Sequence, residues 1–155
     1  MSLKIHSKAP NFKLPNQDNK LVNLAEIKEN VILFFYPKDN TPGCTKEALG
    51  FSEALTKIKK MDCQVFGISK DSTKKHQNFI NKQNLSVDLL SDEKDKVCEN
   101  YGVWVEKSMY GRKYMGIERT TFLINKKKII ANIWPKVKVT NHIEEVLKFL
   151  KTTLP

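Results

Sequence analysis

The sequence lacks the features of membrane-spanning, secreted and fibrous proteins. Its longest uninterrupted apolar run, Val31 to Tyr36, has six residues, whereas a membrane-spanning helix needs about 20. The three cysteines are too few for a disulfide framework and odd in number, and no apolar signal segment precedes Pro10. Six glycines and six prolines among 155 residues exclude a fibrous or linker-rich chain. These absences predict a cytoplasmic protein that folds as one domain over residues 1–155, with no membrane partner.

Arginine is also scarce, although the chain is strongly basic. The formal net charge is +10, from 27 basic and 17 acidic residues, yet Arg112 and Arg119 are the only arginines. Proteins that read nucleic acids favour the bidentate arginine fork over the lysine point charge. The excess charge is therefore interpreted as a solvated, lysine-rich surface, and no specific nucleic-acid partner is expected.

Short apolar runs alternate with helical patterns along the chain. The run 31–36 predicts a strand buried on both faces, and apolar residues at 48, 51, 55 and 58 predict one face of an amphipathic helix. Further strands are predicted at 63–69, 86–90, 120–124 and 129–134, and further helices at 73–83, 92–101 and 140–151. The last two strands form a hairpin, and residues 106–118 are interpreted as irregular. This alternation predicts an α/β sandwich with a mixed central sheet flanked by helices.

The segment between the first buried strand and the helix is where chemistry is expected. Thr41 can serve as N-cap and Pro42 as the first helical residue, which places Cys44 in the first helical turn. There the helix dipole and unpaired backbone N–H groups favour the thiolate. The residues alone thus favour a reactive thiol at Cys44, with burial as a small apolar side chain as the alternative. Cys63 and Cys98 are predicted to be core residues.

The same segment resembles the signature of the peroxiredoxins. Pro37, Thr41 and Cys44 stand at the offsets that this family gives to its proline, threonine and peroxidatic cysteine. The stretch from Phe35 to Ala48 is similar to the PrxQ subfamily, also called bacterioferritin comigratory proteins. Further stretches similar to that subfamily are 9–15, 67–72, 89–92, 101–104, 109–111 and 115–124. The resemblance implies a thioredoxin-like fold and a thiol-dependent peroxidase that reduces hydrogen peroxide and organic hydroperoxides.

The resemblance also implies a role for each matched residue. Cys44 is the peroxidatic thiolate, which attacks one peroxide oxygen and becomes a sulfenic acid. Arg119 holds the thiolate and polarises the peroxide through its planar donor fork. Thr41 binds the incoming peroxide through its hydroxyl, and the N–H groups near Gly43 and Cys44 bind the second oxygen. Pro37 shields the thiolate and offers no competing donor. No cofactor or metal is expected, because the histidines and cysteines show no ligand spacing.

The sequence departs from this subfamily at the resolving cysteine. Many PrxQ proteins carry it five residues after the peroxidatic cysteine, where this chain has Leu49, and others carry it in the next helix, where this chain has Ile80. The departure predicts a one-cysteine mechanism in which an external thiol, such as thioredoxin, glutaredoxin or glutathione, reduces the sulfenic acid. The expected assembly is a monomer or a weak homodimer.

Two alternative functions remain open on the same fold. One is a redox sensor that passes its sulfenic acid to a partner protein, and the other is a basic polyanion-binding module. A thioredoxin-like disulfide reductase is disfavoured, because residue 47 is Glu where a Cys-x-x-Cys motif needs its second cysteine.

Overall fold

The predicted buried strand forms the centre of a mixed sheet. The computed structural model describes residues 3–153. In chain order its strands are β1 (Lys13–Pro15), β2 (Leu21–Asn23), β3 (Asn30–Phe35), β4 (Cys63–Ser69), β5 (Asp88–Ser91), β6 (Trp104–Met109), β7 (Arg112–Ile117), β8 (Thr120–Ile124) and β9 (Ile130–Trp134). Its α-helices are α1 (Pro42–Lys60), α2 (Thr73–Gln83), α3 (Val97–Asn100) and α4 (His142–Thr153).

The central sheet has five strands in the order β5-β4-β3-β8-β9. Strand β3 pairs in parallel with β4, and β4 in parallel with β5. On its other side β3 pairs antiparallel with β8, which pairs antiparallel with β9. The two parallel steps pass through α1 and α2, as parallel neighbours require. The prediction of an α/β fold with a mixed sheet flanked by helices is confirmed.

The sheet separates two apolar layers, called here the front and the back layer. In the front layer Ile32 and Phe34 of β3 pack with the buried residues of α1, with Phe79 of α2, and with Val146 and Leu150 of α4. In the back layer the alternate β3 residues Val31, Leu33 and Phe35 pack with the N-terminal segment and with α3. Because successive side chains of a strand point to opposite faces, one short run of residues supplies both layers.

The stretch interpreted as irregular is a β-hairpin, so that prediction is wrong. Strands β6 and β7 pair antiparallel from Trp104–Ile117 to Met109–Arg112. Positive φ angles at Tyr110 (52°) and Gly111 (77°) form the connecting turn, which is the geometry of a type I′ hairpin. Most side chains of this hairpin are exposed, and therefore the alternation of apolar and polar residues that marks a half-buried strand is missing.

The helix predicted over 92–101 is also wrong in extent, since α3 spans only Val97–Asn100. The cause is Asp92, which is buried and accepts hydrogen bonds from the backbone N–H of Val97 (3.1 Å) and of Cys98 (2.7 Å). Its carboxylate satisfies the first donors of α3, so the residues before Val97 form a turn instead of helix. The short strands β1 and β2 were not predicted. No helix within residues 3–153 is long and apolar enough to cross a membrane.

Candidate active site

Cys44 lies where the predicted strand–loop–helix segment places it. The loop 36–41 follows β3, and α1 begins at Pro42, so Cys44 is the third residue of the helix. The first helical hydrogen bond runs from the Thr45 N–H to the Thr41 carbonyl at 2.8 Å. The N–H groups of Gly43 and Cys44 therefore have no partner inside the helix. The Cys44 side chain is buried in the front layer, at 1% exposure.

Arg119 reaches Cys44 because of the strand pairing. The antiparallel register places Thr120, the first residue of β8, opposite Phe35, the last residue of β3. The residue before Thr120 therefore lies beside the loop that leads to α1. From there the Arg119 Nη2 donates to the Cys44 Sγ at 3.3 Å. Only the family resemblance predicts Arg119 beside Cys44, and the structure brings the two side chains together.

Glu47 completes the arrangement, although no sequence signal used above predicts it as a site residue. Its Oε1 accepts from the Arg119 Nη1 at 2.7 Å, while its Oε2, buried, has no hydrogen-bond partner among residues 3–153. Burial raises the pKa of Glu47 to about 7, against the opposing effect of Arg119. Glu47 stands one turn after Cys44, on the helix face that carries Ala48 and Phe51. A carboxylate on an apolar helix face is the signal that could have revealed it.

The guanidinium is held as a cation by its two neighbours. Burial opposes the charge of Arg119, yet the nearby Glu47 and Cys44 raise the pKa of the guanidinium above its ordinary value. One planar group thus contacts both the carboxylate and the sulfur through separate nitrogens. Lysine, which has a single side-chain nitrogen, lacks the planar fork that makes two such contacts in a fixed geometry.

The remaining predicted site residues lie on the loop and the first helical turn. Thr41 occupies the N-cap position with an extended backbone, but its side chain makes no capping bond, which corrects the predicted cap. Its hydroxyl donates instead to the Lys38 carbonyl at 2.8 Å. A Cβ placed on Gly43 would lie 3.1 Å from the Arg119 Nη2, so glycine permits this close approach. Pro37 is exposed at the start of the loop, and its shielding role stays a prediction.

Cys63 and Cys98 lie in the core, as predicted. Burial raises the pKa of Cys63 to about 12. Burial and the Asp92 carboxylate raise the pKa of Cys98 still further. Cys98 belongs to the back layer, across the sheet from Cys44. All three thiols are free.

The structure brings together polar groups that sequence spacing did not connect. One polar side-chain atom from each of Asp39, Asp71 and His76 (a carboxylate oxygen or a ring nitrogen) lies within 4.8 Å of the other two. They are joined by hydrogen bonds, with the His76 Nδ1 at 2.7 Å from the Asp39 Oδ2 and the Asp39 N–H donating to the Asp71 Oδ2 at 2.8 Å. Elsewhere in the front layer the His142 Nε2 lies 2.8 Å from the Thr121 Oγ1, and burial lowers the pKa of His142 to about 4.

The chain is similar to known proteins over most of its length, in sequence and in structure. The AhpC/TSA family profile matches residues 5–133. A bcp peroxiredoxin of Coxiella burnetii is 52% identical over 95% of this chain and 98% of its own, and peroxiredoxin Bcp of Bacillus subtilis is 42% identical over 97% of each. A structure of the Xanthomonas campestris bacterioferritin comigratory protein, described for alkyl peroxide reduction, superposes with a TM-score of 0.87 at 37% identity, covering 93% of this chain and 92% of that one.

Proposed function

The chain belongs to the AhpC/TSA family and is a thiol-dependent peroxidase of the peroxiredoxin type, and we propose that Cys44 is the thiol that reacts with peroxide. The observation that carries this assignment is the 3.3 Å contact between the Arg119 guanidinium and the Cys44 Sγ. A cation at this distance stabilises the thiolate, which is the nucleophilic form of cysteine. The position of Cys44 in the first turn of α1 adds the favourable end of the helix dipole.

The proposed reaction is a displacement at oxygen. The Cys44 sulfur forms a bond to one peroxide oxygen while the O–O bond breaks. The sulfur is thereby oxidised to a sulfenic acid, and the leaving oxygen takes up a proton to become an alcohol or water. A first thiol then condenses with the sulfenic acid and releases water, and a second thiol cleaves the mixed disulfide and restores Cys44.

The surrounding donors and acceptors suit a bound peroxide. The Thr41 hydroxyl already donates to the Lys38 carbonyl, which leaves its oxygen free to accept the O–H of the incoming peroxide. The free N–H groups of Gly43 and Cys44 can donate to the second oxygen, where negative charge develops as the O–O bond breaks. Pro37, at the start of the same loop, is proposed to limit solvent access to the thiolate.

We propose that Cys44 has no resolving partner in its own chain. Cys63 begins β4, five residue steps before Ile68, whose carbonyl accepts from the Tyr36 N–H at the start of the active-site loop. At about 3.3 Å per residue, Cys63 lies roughly 16 Å from Ile68, at the end of β4 beside the active-site loop. A disulfide requires Cα atoms within about 7 Å. Cys98 lies across the sheet. The reductant is therefore an external thiol, with thioredoxin, glutaredoxin and glutathione as candidates.

The proposed substrates are hydrogen peroxide and organic hydroperoxides, supported by the alkyl peroxide activity described for the Xanthomonas relative. Cys44, Arg119 and Glu47 contact one another within a single chain, so the proposed assembly, a monomer or weak homodimer, needs no second subunit for these contacts. Three cysteines are few and odd in number, which supports the proposal of a reducing compartment such as the cytoplasm.

The test is consumption of hydrogen peroxide and of cumene hydroperoxide, with one reductant supplied at a time, before and after alkylation of Cys44 verified by peptide mapping. We expect turnover that requires an added thiol and ceases once Cys44 is alkylated. Turnover that survives complete alkylation of Cys44 would contradict the assignment.

A further inference from the structure

A buried hydrogen-bond network connects the loop before Cys44 to α2. The Tyr36 Oη donates to the Asp39 Oδ1 at 2.5 Å, and the second oxygen of Asp39 lies 2.7 Å from the His76 Nδ1. His76 is fully buried, at 0% exposure, and Asp39 and Tyr36 are buried as well. The loop is therefore held from α2 by a carboxylate–imidazole pair that solvent does not reach.

The protons of this pair follow from the partners. The His76 Nε2 lies 3.0 Å from the Leu90 carbonyl, and because a carbonyl only accepts, this nitrogen carries a proton. The Nδ1 and the Asp39 Oδ2 then share a second proton, bonded to one or the other. The hydrogen bond between them forms in either case, so both ring nitrogens of His76 are engaged.

Asp39 is the single buried residue between Tyr36 and Cys44. Pro37, Lys38, Asn40 and Pro42 are exposed, and Thr41 and Gly43 are partly exposed, so apolar packing does not fix this part of the chain. Asn40 has a φ of 61°, a conformation that asparagine tolerates better than most residues but that still needs support from its surroundings. The position of Asp39 thus determines the path of the chain toward Thr41.

The position of Asp39 also affects the groups proposed to bind peroxide. Lys38, whose carbonyl orients the Thr41 hydroxyl, is the residue directly before it. The Asp39 N–H is itself held by the Asp71 Oδ2 at 2.8 Å, and this carboxylate oxygen also accepts from the Ser69 Oγ at 2.8 Å. The Asp39 side chain is therefore held by Tyr36 and by His76 of α2. Its backbone N–H is held by Asp71, which lies between β4 and α2.

We infer that His76 is a positioning residue for peroxide reduction: through Asp39 it holds the loop 37–43 in the conformation that aligns Thr41 and the first N–H groups of α1 with Cys44. This role rests on the proposed function of Cys44. It concerns the orientation of the peroxide and leaves the Cys44–Arg119 contact unchanged.

Two substitutions of His76 separate its two hydrogen bonds. In His76→Asn the amide nitrogen replaces the Nδ1 and keeps the bond to Asp39, whereas in His76→Gln it replaces the Nε2 and keeps only the bond to Leu90. The rate of Cys44 oxidation by hydrogen peroxide is measured in a single turnover, together with the rate of alkylation by iodoacetamide. Alkylation requires the thiolate but no oriented peroxide.

We expect His76→Gln to lower the oxidation rate by roughly 10- to 100-fold, the range for a misplaced reacting geometry, without lowering the alkylation rate. His76→Asn should stay within about threefold of the wild type, because the loop is still held. Thermal unfolding midpoints of both variants serve as the folding control. If both variants lose the same factor in oxidation rate, in proportion to the fall in their unfolding midpoints, the positioning role is overturned. An unchanged oxidation rate in His76→Gln would overturn it as well.

A second pair of variants keeps the test decisive if His76 substitutions unfold the chain. Tyr36→Phe removes the hydroxyl that donates to Asp39, and Tyr101→Phe removes a buried hydroxyl that donates to the Pro10 carbonyl at 2.6 Å in the back layer. Only Tyr36→Phe should slow oxidation, and equal rates in both variants would overturn the proposal. If wild-type Cys44 is not oxidised at all, the proposed function fails, and the positioning role fails with it.

Discussion

Cys44 and Cys98 are almost equally buried, at 1% and 0% exposure, and lie on opposite sides of one sheet. Their polar neighbours have opposite charge. Cys44 faces the Arg119 guanidinium at 3.3 Å, whereas the N–H of Cys98 bonds the Asp92 carboxylate at 2.7 Å, and this carboxylate raises the pKa of the Cys98 thiol beyond the effect of burial. Burial therefore does not distinguish the two thiols, whereas the sign of the nearest charge does.

The two layers also differ in where they bury charged and polar groups. In the back layer Asp92 lies beside Cys98, whereas the front layer buries Glu47, His76 and His142 on three of its helices. Buried groups of this kind are costly unless they are paired. Buried polar groups are typical of functional sites, and Glu47 and His76 lie near the candidate site at the end of β3.

The largest expected effect is on peroxide turnover when each cysteine is replaced by serine, which tests the difference between Cys44 and the other two thiols. Cys44→Ser should abolish peroxide turnover, because serine offers no thiolate, while Cys98→Ser and Cys63→Ser should retain most of the activity. Steady-state peroxide consumption with an added thiol measures all three. Substantial turnover by Cys44→Ser, or loss of turnover in a correctly folded Cys98→Ser, would contradict the assignment of Cys44 as the thiol that reacts with peroxide.

The next effect concerns the cation beside Cys44. Arg119→Lys keeps the charge but cannot contact the Cys44 Sγ and the Glu47 carboxylate through two fixed nitrogens. The expected loss is about 1–3 kcal/mol, the range for a charge-assisted hydrogen bond, or roughly 5- to 150-fold in the peroxide rate. Stopped-flow oxidation measures it. Arg112→Lys, at the exposed start of β7, is the matched control, and equal rates for the two variants would mean that the guanidinium fork of Arg119 does not contribute to the peroxide step.

A smaller effect concerns the stability of the site and its dependence on pH. A carboxyl whose pKa is raised on folding, from 4.5 to about 7 for Glu47, binds its proton more tightly in the folded state. The free energy of unfolding should therefore fall by on the order of 3 kcal/mol as pH rises from below 4.5 to above 7. Glu47→Gln, which does not titrate, should lack this fall. Urea unfolding of both proteins at several pH values tests it, and parallel curves would contradict the assignment.

The smallest expected effect tests the close approach of Arg119 to α1. Gly43→Ala places a Cβ 3.1 Å from the Arg119 Nη2, so the guanidinium must move by a few tenths of an ångström. We expect oxidation by peroxide to slow by about threefold. Gly116→Ala, whose Cβ meets the flexible Lys107 Cδ at 3.2 Å, is the control. A larger loss in Gly116→Ala would show that the effect does not arise from Arg119.

The sequence predicted the strand–loop–helix unit around Cys44 because its signals are local. An apolar run ending at Pro37, and apolar residues spaced at 48, 51, 55 and 58, depend only on neighbours along the chain. The hairpin β6–β7 was missed for the opposite reason: its strands are mostly exposed, so they show no apolar alternation. The start of α3 was missed because it depends on the Asp92 side chain.

The site was predictable only in part, because its contacts join distant residues. Arg119 bonds to Cys44 across 75 positions, and Asp39 meets His76 across 37. The register of β3 and β8 brings the first pair together, and without the family resemblance no spacing in the sequence indicates it. The pair of Asp39 and His76 carries no sequence signal, since α2 must first pack on the sheet.

The most direct test of the account is non-reducing peptide mapping and intact mass after one equivalent of hydrogen peroxide, without added thiol. We expect one added oxygen, located on Cys44 as a sulfenic acid, with Cys63 and Cys98 still free thiols. A disulfide between Cys44 and either Cys63 or Cys98 of the same chain, formed at high yield, would contradict it.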